Sequence, residues 1–259
     1  MKTPTTLNVL VLLCAVLILS QHVRATAIEM YGAEFEAFGE FYFVDTSDGS
    51  VSTIGNTGGF LSSMDFSASG VLYAASGTLE EVDPATGLTS NRRSINFIGG
   101  PESDIITGLT FSSTQGLFGI GNGPPGNLWR IDPVSADAHF VGSSGEALFA
   151  LEFGPDGTLY GAGHDLWEIS TDDGSATLIG RVGDGALLTA LDFAPDGLMY
   201  GASSDITSDA LYTINLETGA GLRIGVTNAN LVSLASIPEP TTGVLLGLGG
   251  LALLRKRRA

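Results

Sequence analysis

Short apolar runs separated by turn residues recur along the middle of the chain. Each unit contains four such runs, which in the clearest copy are Leu128–Asp132, Ala138–Gly142, Leu148–Phe153 and Thr158–Ala162. The segment Leu166–Ala202 repeats this unit run for run, and looser copies begin at Phe41, Leu79 and Leu211. Runs of four to six residues with alternating apolar positions, bounded by Gly, Pro and Asp, predict strands.

The turns between the runs also repeat. Gly154-Pro155-Asp156-Gly157 and Ala194-Pro195-Asp196-Gly197 stand at the same place in two units. Proline presets one φ angle and glycine accepts a positive one, so these tetrapeptides predict tight turns. Asp83-Pro84-Ala85-Thr86-Gly87 predicts a second turn of this kind.

Four strands every 38–49 residues indicate the blades of a β-propeller. The fifth unit stops at Ala235 without its last strand, and Met30–Ala33 resembles the missing segment Met199–Ala202. We therefore predict an all-β, five-bladed propeller of four-stranded blades, with the last blade closed by the N-terminal strand. Closure would leave no long unpaired sheet edge. A β-solenoid is the alternative fold, although its coils are usually shorter.

The N-terminus has the three parts of a secretion signal. Lys2 precedes an apolar run from Leu7 to Leu19, and the small residues Ala25 and Ala27 form a cleavage site. The run is too short for a membrane span of about 20 residues. We predict a signal peptide over residues 1–27, recognised by Sec-type export machinery, followed by a propeller domain over 28–236.

The C-terminus, residues 237–259, has a different composition. Pro238, Glu239 and Pro240 precede an apolar run from Gly243 to Leu254, which as a helix would be only about 18 Å long. The chain then ends with a basic cluster: Arg255, Lys256, Arg257 and Arg258. This cluster predicts a stop-transfer signal that keeps the C-terminus cytoplasmic. A short span with a stop cluster is typical of a transient inner-membrane anchor; a plain single-span anchor is the alternative.

These three elements in this order resemble the PEP-CTERM sorting signal. The resemblance implies an exosortase as processing partner, cleavage near Pro238–Pro240, and delivery to the cell surface or extracellular matrix of a Gram-negative bacterium. The repeats in turn resemble those of the broad propeller superfamily, a likeness that implies a fold but no activity.

Charge and cysteine content exclude several functions. All 28 acidic residues lie between Glu29 and Glu239, where only five arginines oppose them, so this region carries about 23 excess negative charges. Such a surface repels nucleic acid. The single cysteine, Cys14, lies in the signal, so the mature domain has no disulfide and no thiolate site.

Candidate catalytic residues are few. His139 and His164 lie in different units without further metal ligands at the usual spacing, and no Gly-x-Ser-x-Gly nucleophile motif is present. Turn geometry explains the repeated aspartates Asp45, Asp83, Asp132, Asp156 and Asp196. The segments Asp172–Gly174 and Asp205–Asp209 could hold Ca²⁺ through oxygen ligands. We otherwise expect no cofactor and assign no catalytic or metal-binding residue.

Aromatic residues recur at fixed places in the units, where packing between blades is the expected role. They are Tyr73, Trp129, Tyr160, Trp167, Tyr200 and Tyr212. The sequence therefore favours a non-enzymatic, exported propeller that binds exopolysaccharide. The alternative is a Ca²⁺-dependent secreted hydrolase or lyase acting on polysaccharide or a lactone.

Overall fold

A computed structural model describes residues 29–36, 39–122, 124–183, 185–204 and 209–237. The predicted signal, its cleavage residues Ala25 and Ala27, the Pro238–Pro240 motif and the basic cluster lie outside these residues and stay predictions. The described residues form 21 strands and no helix. Accordingly, no helix suited to crossing a membrane occurs in these ranges.

The strands form five sheets, which we call blades. Blade 1 contains β4 (Ser63–Phe66), β5 (Leu72–Ala75), β6 (Thr78–Val82) and β7 (Thr89–Ser94). Blade 2 contains β9 (Ile106–Ser112), β10 (Gly116–Gly121), β11 (Asn127–Ile131) and β12 (Asp137–Ser143), with β8 (Asn96–Ile98) parallel to β12. Blade 3 contains β13 (Ala150–Phe153), β14 (Leu159–Ala162), β15 (Asp165–Ile169) and β16 (Ala176–Arg181).

Blade 4 contains β17 (Leu188–Phe193), β18 (Met199–Ser203), β19 (Ala210–Ile214) and β20 (Gly221–Val226). Blade 5 joins the two ends of the domain and contains β21 (Leu231–Ser236), β1 (Glu29–Glu34), β2 (Glu40–Asp45) and β3 (Val51–Asn56). The predicted closure is confirmed, since Met30 pairs with Ser236 and Tyr31 with Ala235.

The sequence repeat and the blade are out of phase. A repeat comprises the outer two strands of one blade and the inner two of the next, so the N-terminus contributes three strands to blade 5. The turn residues do not show whether the next strand joins the same blade or begins a new one. They specify a reversal of the chain, but not the sheet to which the next strand belongs. The extra strand β8 lies in the longest spacing between units.

The innermost strands β4, β9, β13, β17 and β21 each contact two neighbours and so form a complete ring. The hydrophobic core is divided in the same way into five clusters, each built from two adjacent blades. In the cluster between blades 1 and 2, Trp129 is fully buried and packs edge-on against Phe97 and Phe140. Burial between blades therefore stabilises the ring.

Glycines in the outermost strands let neighbouring blades approach closely. A Cβ atom added to Gly142 would collide with the backbone carbonyl of Asp173 in the next blade, and Gly180 faces Thr218 in the same way. Gly225 meets Asp48 across the closure. The recurring glycine after Ile or Val is therefore an interblade packing residue.

Candidate functional site: a blind bowl above three buried carboxylates

Each innermost strand and its approach carry the same six-residue pattern. The five copies are residues 61–66, 106–111, 148–153, 188–193 and 231–236. The first residue is always Leu or Ile and is fully buried. The second residue faces the mouth of the central channel, and the fifth lies at its opposite end. The pattern therefore places one ring of side chains at each end of the channel.

The second residues line a cavity of about 290 Å³, which we call the bowl. They are Ser62, Thr107, Phe149, Thr189 and Val232, one from each blade. Thr189 donates its hydroxyl to the carbonyl of Leu231 at 2.8 Å, which fixes the side chain and leaves its oxygen free to accept. The wall of the bowl thus combines three hydroxyl side chains with the apolar side chains of Phe149 and Val232.

Loops add an apolar rim to the bowl. Phe35 and Ile105 are 46 % and 43 % exposed and reach its edge, where Asn122 supplies an amide. Phe60, which is 51 % exposed, packs against Phe35 with ring centroids 5.4 Å apart. Exposed aromatic groups that converge on a cavity are typical of a binding site.

The channel beneath the bowl is closed. Its lining includes Met64, Leu109, Leu151, Leu191 and Leu234, and the space left between them is about 10 Å³, room for about one water molecule. The buried hydroxyl of Ser233 faces this space without a protein partner. The bowl is therefore a blind pocket.

At the far end of the channel, the fifth residues of blades 1 to 4 join each of these blades to the next. The Asp65 carboxylate accepts from the Phe111 N–H at 2.5 Å, and Thr110 accepts from the Phe153 N–H at 3.1 Å. In the same way, Glu152 accepts a hydrogen bond from the backbone of Phe193, and Asp192 accepts one from the backbone of Ser236, each in the following blade. We call Asp65, Thr110, Glu152 and Asp192 the interblade clasp.

The clasp ends at the closing strand. Asp192 accepts from both the backbone and the hydroxyl of Ser236, and that hydroxyl also approaches the carbonyl of Phe193. The fifth blade has Ala235 in the clasp position, which cannot accept a hydrogen bond. By the pattern, a polar side chain at position 235 would accept a hydrogen bond from the Phe66 N–H of blade 1. That N–H donates instead to the adjacent residue Asp65, at 2.6 Å.

Burial perturbs the acids of the clasp. Burial raises the pKa of Asp192 from 3.8 to about 7. Burial, followed by the negative charge of Asp192, raises the pKa of Asp65 well above its usual value. Burial, followed by the charges of Asp65 and Asp192, raises the pKa of Glu152 likewise. Desolvation outweighs the hydrogen bonds that these carboxylates accept.

The aromatic residues predicted to pack between blades do so. Trp129, Tyr160, Tyr200 and Tyr212 are buried, and Tyr73 and Trp167 are partly buried against the clusters. The structure does not bring the histidines together: His139 is exposed on β12, and His164 contacts the carbonyl of Ala186 in a turn. Within the described ranges, no group of three His, Cys, Asp or Glu has the geometry of a metal site.

The repeated aspartates act in turns, as predicted. Asp45, Asp83, Asp132, Asp156 and Asp196 each accept a hydrogen bond from the backbone N–H two residues later. Asp173 accepts from Ser175 in the same manner. Asp205 lies outside the described residues, so the second candidate Ca²⁺ segment stays a hypothesis.

Comparison with known proteins identifies the C-terminal segment. Residues 236–258 match the PEP-CTERM protein-sorting motif. The motif implies an exported protein that is anchored in the membrane and sorted by an exosortase. No curated protein is significantly similar to the chain.

Solved structures share the fold at low sequence identity. A gluconolactonase from Xanthomonas campestris gives a TM-score of 0.53 at 14 % identity, over 80 % of this chain and 79 % of that chain. A second protein, described as a candidate gluconolactonase, gives 0.52 at 14 % identity over 80 % and 81 %. A symmetrical protein from work on de novo evolutionary emergence gives 0.52 at 18 % identity over 81 % and 100 %. Likeness at this level shows the propeller fold alone.

Proposed function

We propose that this chain is a cell-surface or extracellular-matrix protein whose propeller is a non-enzymatic binding module for exopolysaccharide. Export through Sec-type machinery and processing by an exosortase would bring it to that place. The observation that carries the proposal is the bowl, a blind pocket whose wall combines three hydroxyl side chains with two apolar ones. Its destination outside a Gram-negative cell is part of the same proposal.

The chemistry of the bowl suits a sugar unit. A sugar presents hydroxyl groups at its edge and C–H groups on its faces. Thr107, Thr189 and Asn122 offer hydrogen-bonding partners to the edge, while Phe35 and Phe149 offer apolar surface to a face. Of the described residues that line the bowl, none carries a carboxylate or an imidazole. That lining supplies recognition groups but no general acid or base.

Binding to the matrix polysaccharide of the producing cell tests the proposal. We expect the exported protein to bind this polymer on a glycan array, and Phe149→Ala to abolish most of the signal by removing the largest apolar wall. Leu178→Ala is the matched control, because Leu178 is 54 % exposed on the outer strand β16. Failure of the native protein to bind, or equal binding by the two variants, would contradict the proposal.

The alternative function is a Ca²⁺-dependent hydrolase or lyase, which the fold likeness to gluconolactonases favours. Elemental analysis of the purified protein separates the two functions. One tightly bound metal ion per chain, removed by chelation together with lactone or polysaccharide hydrolysis, would establish the enzyme. Polysaccharide binding that persists in chelator would establish the binding module.

A further inference from the structure

The sorting motif begins inside the folded propeller. Residues 236–258 match the motif, and Ser236 is the last residue of β21, the innermost strand of blade 5. Ser236 is paired with Met30 and bonded to Asp192, and Ile237 packs against the cluster that contains Tyr31. The chain is therefore held by the fold up to the residue before Pro238.

The five innermost strands share one direction. Each begins at the bowl and ends at the opposite face, which we call the exit face and define by the turns 67–71, 113–115, 154–158 and 194–198. Because β21 follows the same direction, the sorting tail leaves from the centre of the exit face. The bowl lies on the other side of the disc.

The tether between the disc and the membrane is short. Five residues, 238–242, separate Ile237 from the apolar run that begins at Gly243. Even fully extended, this segment spans only about 20 Å. A domain of about 200 residues has a radius of gyration of about 17 Å, so a path from the centre of one face around the edge to the other exceeds about 40 Å. The tether cannot bring the bowl to the bilayer.

From this geometry we propose that the anchored precursor is held with its exit face towards the membrane and its bowl directed away. The proposal concerns the anchored stage of the function proposed above and places the binding pocket where a polymer outside the membrane can reach it. The exit face carries the exposed aspartates Asp156, Asp172, Asp173 and Asp196. Their charge opposes adhesion of this face to anionic lipid.

A matched pair of labels on one strand tests the orientation. Ser103 and Ser113 are both exposed and flank β9, with Ser103 two residues before the bowl residue Ile105 and Ser113 on the exit face. Ser103→Cys and Ser113→Cys would each carry the only thiol of the domain, since Cys14 lies in the predicted signal. Seven residues of strand separate the labels by about 23 Å.

The measurement is energy transfer from each label to an acceptor on lipid headgroups. The full chain, taken from a host without exosortase, is placed in vesicles of phosphatidylethanolamine and phosphatidylglycerol. We expect severalfold stronger transfer from Ser113→Cys than from Ser103→Cys. A flexible Gly/Ser insert of about 20 residues before Pro238 has a mean span of about 25 Å and a much longer reach, so it should reduce this difference.

Each outcome decides the proposal. Equal or reversed transfer in the vesicle-bound native chain would overturn the orientation and leave the proposed binding function intact. Failure of the chain to join the vesicles would overturn the orientation together with the anchored stage of the proposed function. Stronger transfer at Ser113→Cys, reduced by the insert, would establish that the short tether sets the direction of the bowl.

Discussion

The stability of the ring should depend on pH through the interblade clasp, and Asp192 provides the clearest test. Its pKa rises from 3.8 in the unfolded chain to about 7 in the folded chain because burial disfavours the charged form. The folded state then binds more protons than the unfolded state between these values, so stability decreases as pH rises from about 4 to about 7. Across this interval the rise in pKa corresponds to a loss of roughly 4 kcal/mol in the free energy of unfolding.

Three exposed aspartates have the opposite effect on the pH dependence of stability, but they act in a lower pH range. Hydrogen bonds lower the pKa of Asp48, Asp137 and Asp173 below the usual value, so their contribution is lost only as pH falls into the acid range. Between pH 5 and pH 8 they stay charged in both states. Asp65 and Glu152 have raised pKa values and therefore add to the effect of Asp192.

The assay is urea denaturation at pH 5 and pH 8, followed by fluorescence of Trp129 and Trp167. We expect a lower free energy of unfolding at pH 8 than at pH 5, and a smaller difference in Asp192→Asn, which removes the buried charge. Glu217→Gln is the control, because it removes one charge from an exposed turn. Equal stability at the two pH values, or the same pH dependence in all three proteins, would refute the reasoning.

Three further predictions test the packing and the tail. Gly142→Ala should destabilise the protein by about 1–3 kcal/mol in thermal melts, because its Cβ meets the next blade, whereas Gly77→Ala has open space and should be neutral. Thr110→Val should cost about 1–3 kcal/mol by leaving a buried N–H without an acceptor, and Thr110→Ser should restore most of the loss. Pro238→Ala with Pro240→Ala should retain the protein in the membrane fraction of the producing cell; normal release would disprove the sorting role of these prolines.

The fold could be predicted because its determinants are local and repeated. Turns such as Pro155-Asp156-Gly157 and alternating runs such as Leu166–Ile169 specify strands and reversals within a few residues, and five copies make the pattern unmistakable. The closure was predictable for the same reason, since Met30–Ala33 repeats a motif found elsewhere. Which strands share a blade could not be predicted, because this depends on which faces pack together across the ring.

The site was less accessible to sequence reasoning because it is assembled from distant segments. Phe35, Ile105 and Asn122 reach the bowl from three different loops, and no repeat marks them. The clasp residues were not predicted, although the sequence carries a signal for them: Glu152 and Asp192 are acids inside otherwise apolar strands. A charged residue in a buried strand needs a partner, and its position in the repeat points to the neighbouring blade.

Closure of the ring and attachment of the protein depend on the same strand. Strand β21 pairs with β1 on one side, and its last residue, Ser236, is bonded through the clasp to blade 4. The sorting tail continues directly from that residue, so any force on the anchor acts first on the bonds that close the ring. A tail attached to an outer strand would load the edge of one blade instead. In the orientation proposed above, the central attachment makes the stability of the clasp a condition for presenting the bowl away from the membrane.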